Sequence, residues 1–171
     1  MRQAIVAAIA AAALGGCMTT PVATGVAKAT LEPTRGNTAS GSATFTERGG
    51  RVYVEADVTG LAPNREHGFH VHEKGDCSSG DGMSAGGHFN PDGKPHGPQN
   101  APHHAGDMPP LKADANGVAE QKFMLMGPTV AAGPASLVGR AIIVHANPDD
   151  FTTQPTGNSG ARIGCGVIAG Y

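Results

Sequence analysis

The sequence predicts an all-β fold: about eight short antiparallel strands wrapped into a barrel or sandwich around one core. Three observations carry this expectation. The 26 Gly and 13 Pro make up nearly a quarter of the 171 residues, a composition suited to many turns. Residues 51–58, RVYVEADV, alternate strictly, with Val52, Val54, Ala56 and Val58 on one face. Beyond the first sixteen residues no run shows apolar side chains at helical spacing. Hydrophobic content of 39% at a formal net charge of −2 argues against disorder, and the absence of a Lys/Arg-rich run argues against nucleic acid as a partner.

The N-terminus reads as an address. Arg2 precedes an apolar run from Ala4 to Leu14, too short to span a bilayer but suited to a signal peptide. Leu14-Gly15-Gly16-Cys17 resembles a bacterial lipobox, which implies cleavage before Cys17, lipidation of its thiol and membrane anchoring in the periplasm or cell envelope. Residues 1–16 are then a lipoprotein-type signal peptide, residues 17–26 the lipidated Cys with a flexible tether, and residues 27–171 one folded domain. Met18 stands where an Asp would retain a lipoprotein in the inner membrane, which favours the outer membrane. Export leaves Cys77 and Cys165 as a disulfide pair, closing a loop worth about 4 kcal/mol in the chain-entropy account.

The strands follow in order. Ala27 to Glu32 is the first. Ser42 to Thr46 and Arg51 to Val58 form a hairpin about Arg48-Gly49-Gly50. His67 to Glu73, Val118 to Met126, Arg140 to Ala146 and Ala161 to Ala169 complete the set. Two polar Gly/Pro-rich stretches, Lys74 to Pro110 and Asn147 to Gly160, are long enough to be read as functional loops.

All eight His lie between His67 and His145. His70 and His72 fall on one face of a strand, with Cβ atoms roughly 6.5 Å apart. His145 ends another strand, on the face opposite Ile142 and Val144, and supplies a third imidazole. His88, His96, His103, His104 and Asp107 follow in the first long loop. Imidazoles suit copper and zinc, and an added carboxylate suits zinc over cuprous copper. There is no H-E-x-x-H of a zinc protease and no nucleophile elbow.

GFHVHEKGDC (68–77), GGHFNP (86–91), HGP at His96, HAGD at His104, IIVHANPDD (142–150) and TGNSGARIGCGVI (156–168) resemble, in order, the copper/zinc superoxide dismutases. The resemblance implies an eight-stranded Greek-key β-barrel and dismutation of superoxide to dioxygen and hydrogen peroxide. It implies copper on His70, His72, His88 and His145, and zinc on His88, His96, His104 and Asp107, with His88 as the bridge. It makes Asp149 a carboxylate hydrogen-bonded to one ligand of each metal, His67 a packed structural residue, and Cys77–Cys165 the family's disulfide. Arg162 becomes the guide for the superoxide anion and, with His88, a catalytic residue; Thr156 narrows the channel opposite it. His103 is left as a solvated loop residue. Members occur as monomers and as homodimers. A metal store on the same scaffold, or a zinc enzyme of the carbonic anhydrase kind, would also use such imidazoles; the first would lack a ligand, the bridge or the Arg, and the second has no use for a bridge or four loop ligands.

Overall fold

Alternating small apolar and polar residues build a meander from the first three strands of the computed structural model, which describes residues 23–171. These are β1 (Ala23–Pro33), β2 (Ser40–Arg48) and β3 (Arg51–Thr59), paired antiparallel in chain order. In β3 the alternation is complete: Val52, Val54, Ala56 and Val58 are buried and the residues between them exposed. The expected signal peptide and Cys17 lie outside the described residues. Of the expected tether, Ala23 to Val26 belong to β1, because β2 runs on to Arg48 and offers them a ladder: Ala23 lies opposite Arg48, Gly25 opposite Glu47 and Val26 opposite Thr46.

The remaining strands are β4 (Glu66–His67), β5 (Phe69–His72), β6 (Leu111–Lys112), β7 (Ala119–Leu125), β8 (Ala141–His145) and β9 (Arg162–Gly170). Seven form one antiparallel sheet in the order β5-β8-β9-β1-β2-β3-β7, and β4 pairs with β6. β4 and β5 are one strand interrupted at Gly68, whose amide donates to Asn147 O and whose carbonyl accepts from His145 N. A Cβ on Gly68 would stand 2.6 Å from Ser159 Oγ, so the close approach requires glycine. β6 adjoins β7 through a turn in which Asp114 N donates to Val118 O, and the Gln121 amide donates to Pro110 O. The β4–β6 pair therefore joins the two edges of the sheet. Eight strands close into a barrel, with β3→β4 and β7→β8 crossing over in Greek-key fashion.

The main core cluster contains Phe45, Phe69, Leu31, Leu125 and Ile168, together with Leu61 from the β3→β4 connection and Leu137 from the β7→β8 connection; Ala85, Ala141, Ile143 and Cys165 form a smaller second cluster. Burial of each large side chain contributes roughly 1.5–3 kcal/mol. β5 and β8 are buried on both faces, since the loop Glu73–Pro110 lies over their outer side. That loop holds a single 3-10 turn, Met83–Ala85, and the Cys77–Cys165 disulfide fastens it to β9.

Candidate metal centre

The period of two places His70 and His72 on the outer face of β5, while Phe69 and Val71 enter the core. β8 runs antiparallel beside β5, with Ile143 opposite His70, and His145 at its end donates its backbone N–H to Gly68 O at 2.8 Å. The long loop comes back to the same strand. Val71 N donates to Gly106 O and Phe89 N to Val71 O, each at 2.8 Å. These two bonds bring His88 beside His72 and Asp107 beside His70. A Cβ on Gly106 would stand 2.2 Å from Val71 O, so only glycine permits this return.

Two groups of ligand atoms result, each within 4.8 Å: His70, His72, His88 and His145, and His88, His96, His104 and Asp107. In the first, the outer nitrogens are tied down. His70 Nε2 donates to Asp149 Oδ2 (2.7 Å), His72 Nδ1 to Gly86 O (2.9 Å) and His145 Nδ1 to Gly160 O (3.3 Å). The inner nitrogens, His70 Nδ1 and the Nε2 atoms of His72, His88 and His145, are buried with no hydrogen-bond partner. Leaving four buried acceptors unpaired is costly, and four lone pairs converging on one place form the donor set of a metal ion.

In the second group Asp107 Oδ1 lies 2.9 Å from the Nδ1 atoms of both His88 and His96, and 3.4 Å from that of His104. Asp107 Oδ2 accepts from the backbone N–H groups of His104 (2.9 Å) and Gly97 (3.1 Å), which fixes the carboxylate. Three imidazoles and one carboxylate bunched in this way suit tetrahedral zinc. His88 belongs to both groups through its two ring nitrogens. Asp149 joins them from behind, accepting from His70 Nε2 and, through Oδ1, from His96 Nε2 at 2.9 Å. Such partners fix ring tautomer and orientation. Every expected ligand is therefore brought together. His67 and His103 stay out: His67 is buried and donates from Nδ1 to His145 O at 2.8 Å, and His103 turns to Ala101 O.

Arg162 opens β9 opposite His145. Its guanidinium donates to Gly82 O at 2.7 Å and Gly86 O at 2.6 Å, and Thr34 Oγ1 holds its carbonyl at 2.7 Å. Gly82 adopts φ 76°, and a Cβ there would stand 3.1 Å from Arg162 Cβ. Thr156 is half-buried on the second loop, its carbonyl accepting from Ser159 Oγ.

The profile of the copper/zinc superoxide dismutases matches residues 39–168. The chain belongs to this family. It is 44% identical over 138 residues to the Cu-Zn superoxide dismutase of Paramecium bursaria Chlorella virus 1, covering 77% of this chain and 72% of that one. It is 40% identical over 133 residues to Cu-Zn superoxide dismutase 2 of Aquifex aeolicus (strain VF5), covering 75% and 78%. The crystal structure of the clock protein EA4 superposes with a TM-score of 0.77 at 39% identity, covering 91% of this chain and 99% of that one. As a copper/zinc superoxide dismutase, the protein is an oxidoreductase that dismutates superoxide, with copper and zinc as cofactors.

The electrostatics of this superoxide dismutase differ between its two groups. Burial pushes His70 down to about 4, against the pull of Asp149, and holds His72 and His145 well below the ordinary imidazole range. Neighbouring imidazoles and Arg162 add to the effect on His72 and His145. These rings stay neutral, as metal ligation requires. For His96 burial is outweighed by a carboxylate at each ring nitrogen, Asp107 and Asp149, and its pKa rises to about 9. Both carboxylates are held below the usual range: burial opposes this, but hydrogen bonds from His88 and His96 to Asp107, and from His70 and His96 to Asp149, prevail. Burial lowers Arg162 too, yet a guanidinium starts so high that it remains charged.

Four contributors carry no sequence signal: the carbonyls of Gly82 and Gly86, Phe151 and Gln154. Phe151 takes φ 56°, unusual for a bulky residue; this lets its N–H donate to Asp149 Oδ1 at 2.7 Å and lays its ring parallel to His96, centroids 6.2 Å apart. Gly157 makes a close approach to the same carboxylate. With φ +66°, a Cβ on it would stand 1.9 Å from Asp149 Oδ1 and 2.6 Å from His96 Nε2.

Proposed function

We propose that His70, His72, His88 and His145 hold copper, that His88, His96, His104 and Asp107 hold zinc, and that His88 bridges the two. The observation that carries this reading is the division of one imidazole: His88 Nε2 faces the all-histidine group without a partner, while Nδ1 lies 2.9 Å from Asp107. Copper supplies a one-electron redox change that zinc, with its filled shell, does not.

The protein's own residues supply the rest. Arg162 presents a fixed positive charge to the small anion, and its two backbone anchors aim the guanidinium without neutralising it. The electron given up by the first superoxide as it leaves as dioxygen would be kept by bound copper; His88 Nε2, when not engaged by the metal, would hold a proton meanwhile, and that proton, the electron and one further proton from water would turn the second superoxide into hydrogen peroxide. His70 and His96 keep their places through Asp149. Thr156 narrows the approach opposite Arg162.

We place this chemistry at the cell envelope, on the strength of Arg2, the apolar run Ala4 to Leu14 and the lipobox ending at Cys17. The enzyme is then lipid-anchored, with the outer membrane favoured by Met18. Residues 18–171 reconstituted with copper and zinc test the first reading: copper-dependent dismutation is expected, against a zinc-only control. No turnover at full occupancy of both metals would make the protein a metal store on this scaffold. Cys17→Ser should release the full-length protein from the membrane fraction; continued retention would remove the anchor.

A further inference from the structure

His96 lies in the irregular stretch between Pro91 and Gln99, where no strand offers its backbone a partner. One side chain takes both of its backbone groups. His96 N donates to Gln154 Oε1 at 2.8 Å, and Gln154 Nε2 donates to His96 O at 2.9 Å. A primary amide thus does the work of a neighbouring peptide in a β-ladder, and it does so across the two long loops. The turn that presents it is fixed from within. The Asp150 carboxylate accepts from Thr152 N (2.9 Å), Thr153 N (2.8 Å) and Thr153 Oγ1 (2.6 Å), and Gly157 N donates to Thr153 O at 2.7 Å.

We propose that Gln154 is a positioning residue that retains zinc by fixing the backbone of His96. This rests on the assignment of zinc to His88, His96, His104 and Asp107. The other members of that group have anchors of their own. The Val71 ladder places His88, and His104 and Asp107 hold each other through His104 N to Asp107 Oδ2 (2.9 Å) and Asp107 N to His104 O (3.1 Å). His96 has both imidazole nitrogens committed, Nδ1 toward the zinc group and Nε2 to Asp149, so any backbone drift strains both at once. Its own N–H and C=O have no partner but Gln154 among the described hydrogen bonds; the nearest further anchor is Gly97 N on Asp107.

The test is metal release from the copper- and zinc-loaded protein at neutral pH with a chelator in excess, zinc and copper being counted separately. Gln154→Ala is expected to lose zinc about tenfold faster than wild type, the low end of what partners of metal ligands contribute, with copper release unchanged. Gln154→Glu keeps the length and the acceptor for His96 N–H but sets a carboxylate against His96 O, and should also shed zinc faster; it decides the matter where the Ala variant does not fold. Lys122→Ala, an exposed side chain that pairs with Glu55 between β3 and β7 and touches neither long loop, should release zinc at the wild-type rate. With cobalt in the zinc position, the Gln154→Ala absorption bands should shift. Wild-type zinc release from both Gln154 variants, equal acceleration of copper and zinc, or equal acceleration in Lys122→Ala overturns the role of Gln154. If His104→Ala leaves zinc occupancy intact, it is the zinc assignment that falls, and the proposal with it.

Discussion

Arg162 and His72 meet at a single atom, the carbonyl oxygen of Gly86, which accepts from the guanidinium Nη2 at 2.6 Å and from the imidazole Nδ1 at 2.9 Å. One peptide group thus aims the positive charge and sets the tautomer of the ring beside it. The charge and the ligand remain separable, because His72 keeps Gly86 O when the guanidinium is gone. Arg162→Ala should therefore retain copper while losing about tenfold or more in dismutation rate, the order expected when a charged partner of an anion is removed. Metal analysis beside the rate assay checks this, and an unchanged rate would leave Arg162 a structural residue.

The bridge has its own signature. With cobalt in the zinc position and copper in the other, the two ions should couple magnetically through the His88 ring in the wild-type protein. His88→Ala should abolish that coupling, since no other residue among those described contributes to both groups. Coupling that survives the substitution would refute the bridge.

Zinc uptake should release protons at neutral pH. His96 has a pKa of about 9 in the metal-free protein, so zinc must displace about one proton from it at pH 7.5. Calorimetry of zinc binding in buffers of different ionisation enthalpy measures that number, and a value near zero would contradict the carboxylate pair as its cause.

The same residues shape the stability of the metal-free protein. His96, raised, contributes stability that is full below the unfolded value of 6.5 and fades as pH climbs through about 9. His70, lowered to about 4, acts in the other sense: its contribution is whole above 6.5 and is lost as pH falls toward 4. A melting profile highest near pH 6.5 is expected, with the acid limb shallower in His70→Gln.

Reduction of Cys77–Cys165 should lower the melting temperature and the dismutation rate together. The bond closes an 88-residue separation, worth about 4 kcal/mol in the chain-entropy account. It also secures the loop whose Gly82 and Gly86 carbonyls hold Arg162. A reduced protein with normal rate and lower stability would detach the two effects.

What was legible in the sequence was what chemistry constrains at fixed spacing. His70 and His72 must be two apart to share a strand face, and the alternation of Val52 to Val58 names its buried side. The break at Gly68 was invisible because His67 to Glu73 reads as one strand, and β6 was missed because two residues show no period. The early start of β1 at Ala23 depends on the length of β2, a property of the partner and not of the segment. Gly82, Gly86, Phe151 and Gln154 act through backbone atoms or through a side chain gripping backbone, and such contacts leave no residue pattern to read.

The barrel closes through its shortest strand ladder, Glu66 with Lys112 and His67 with Leu111, prolonged by Ala113 N to Arg65 O and Asn64 N to Asp114 O, each at 2.9 Å. By number of ladder bonds this is the seam where breathing should begin. Yet His67 stands on it, and its ring reaches across to the carbonyl of His145. This short join in the wall is thus riveted to the strand that carries His145 of the all-histidine group. Opening the seam by any motion that carries His67 away must pull on His145, so local breathing of the barrel and loosening of the catalytic centre become one event.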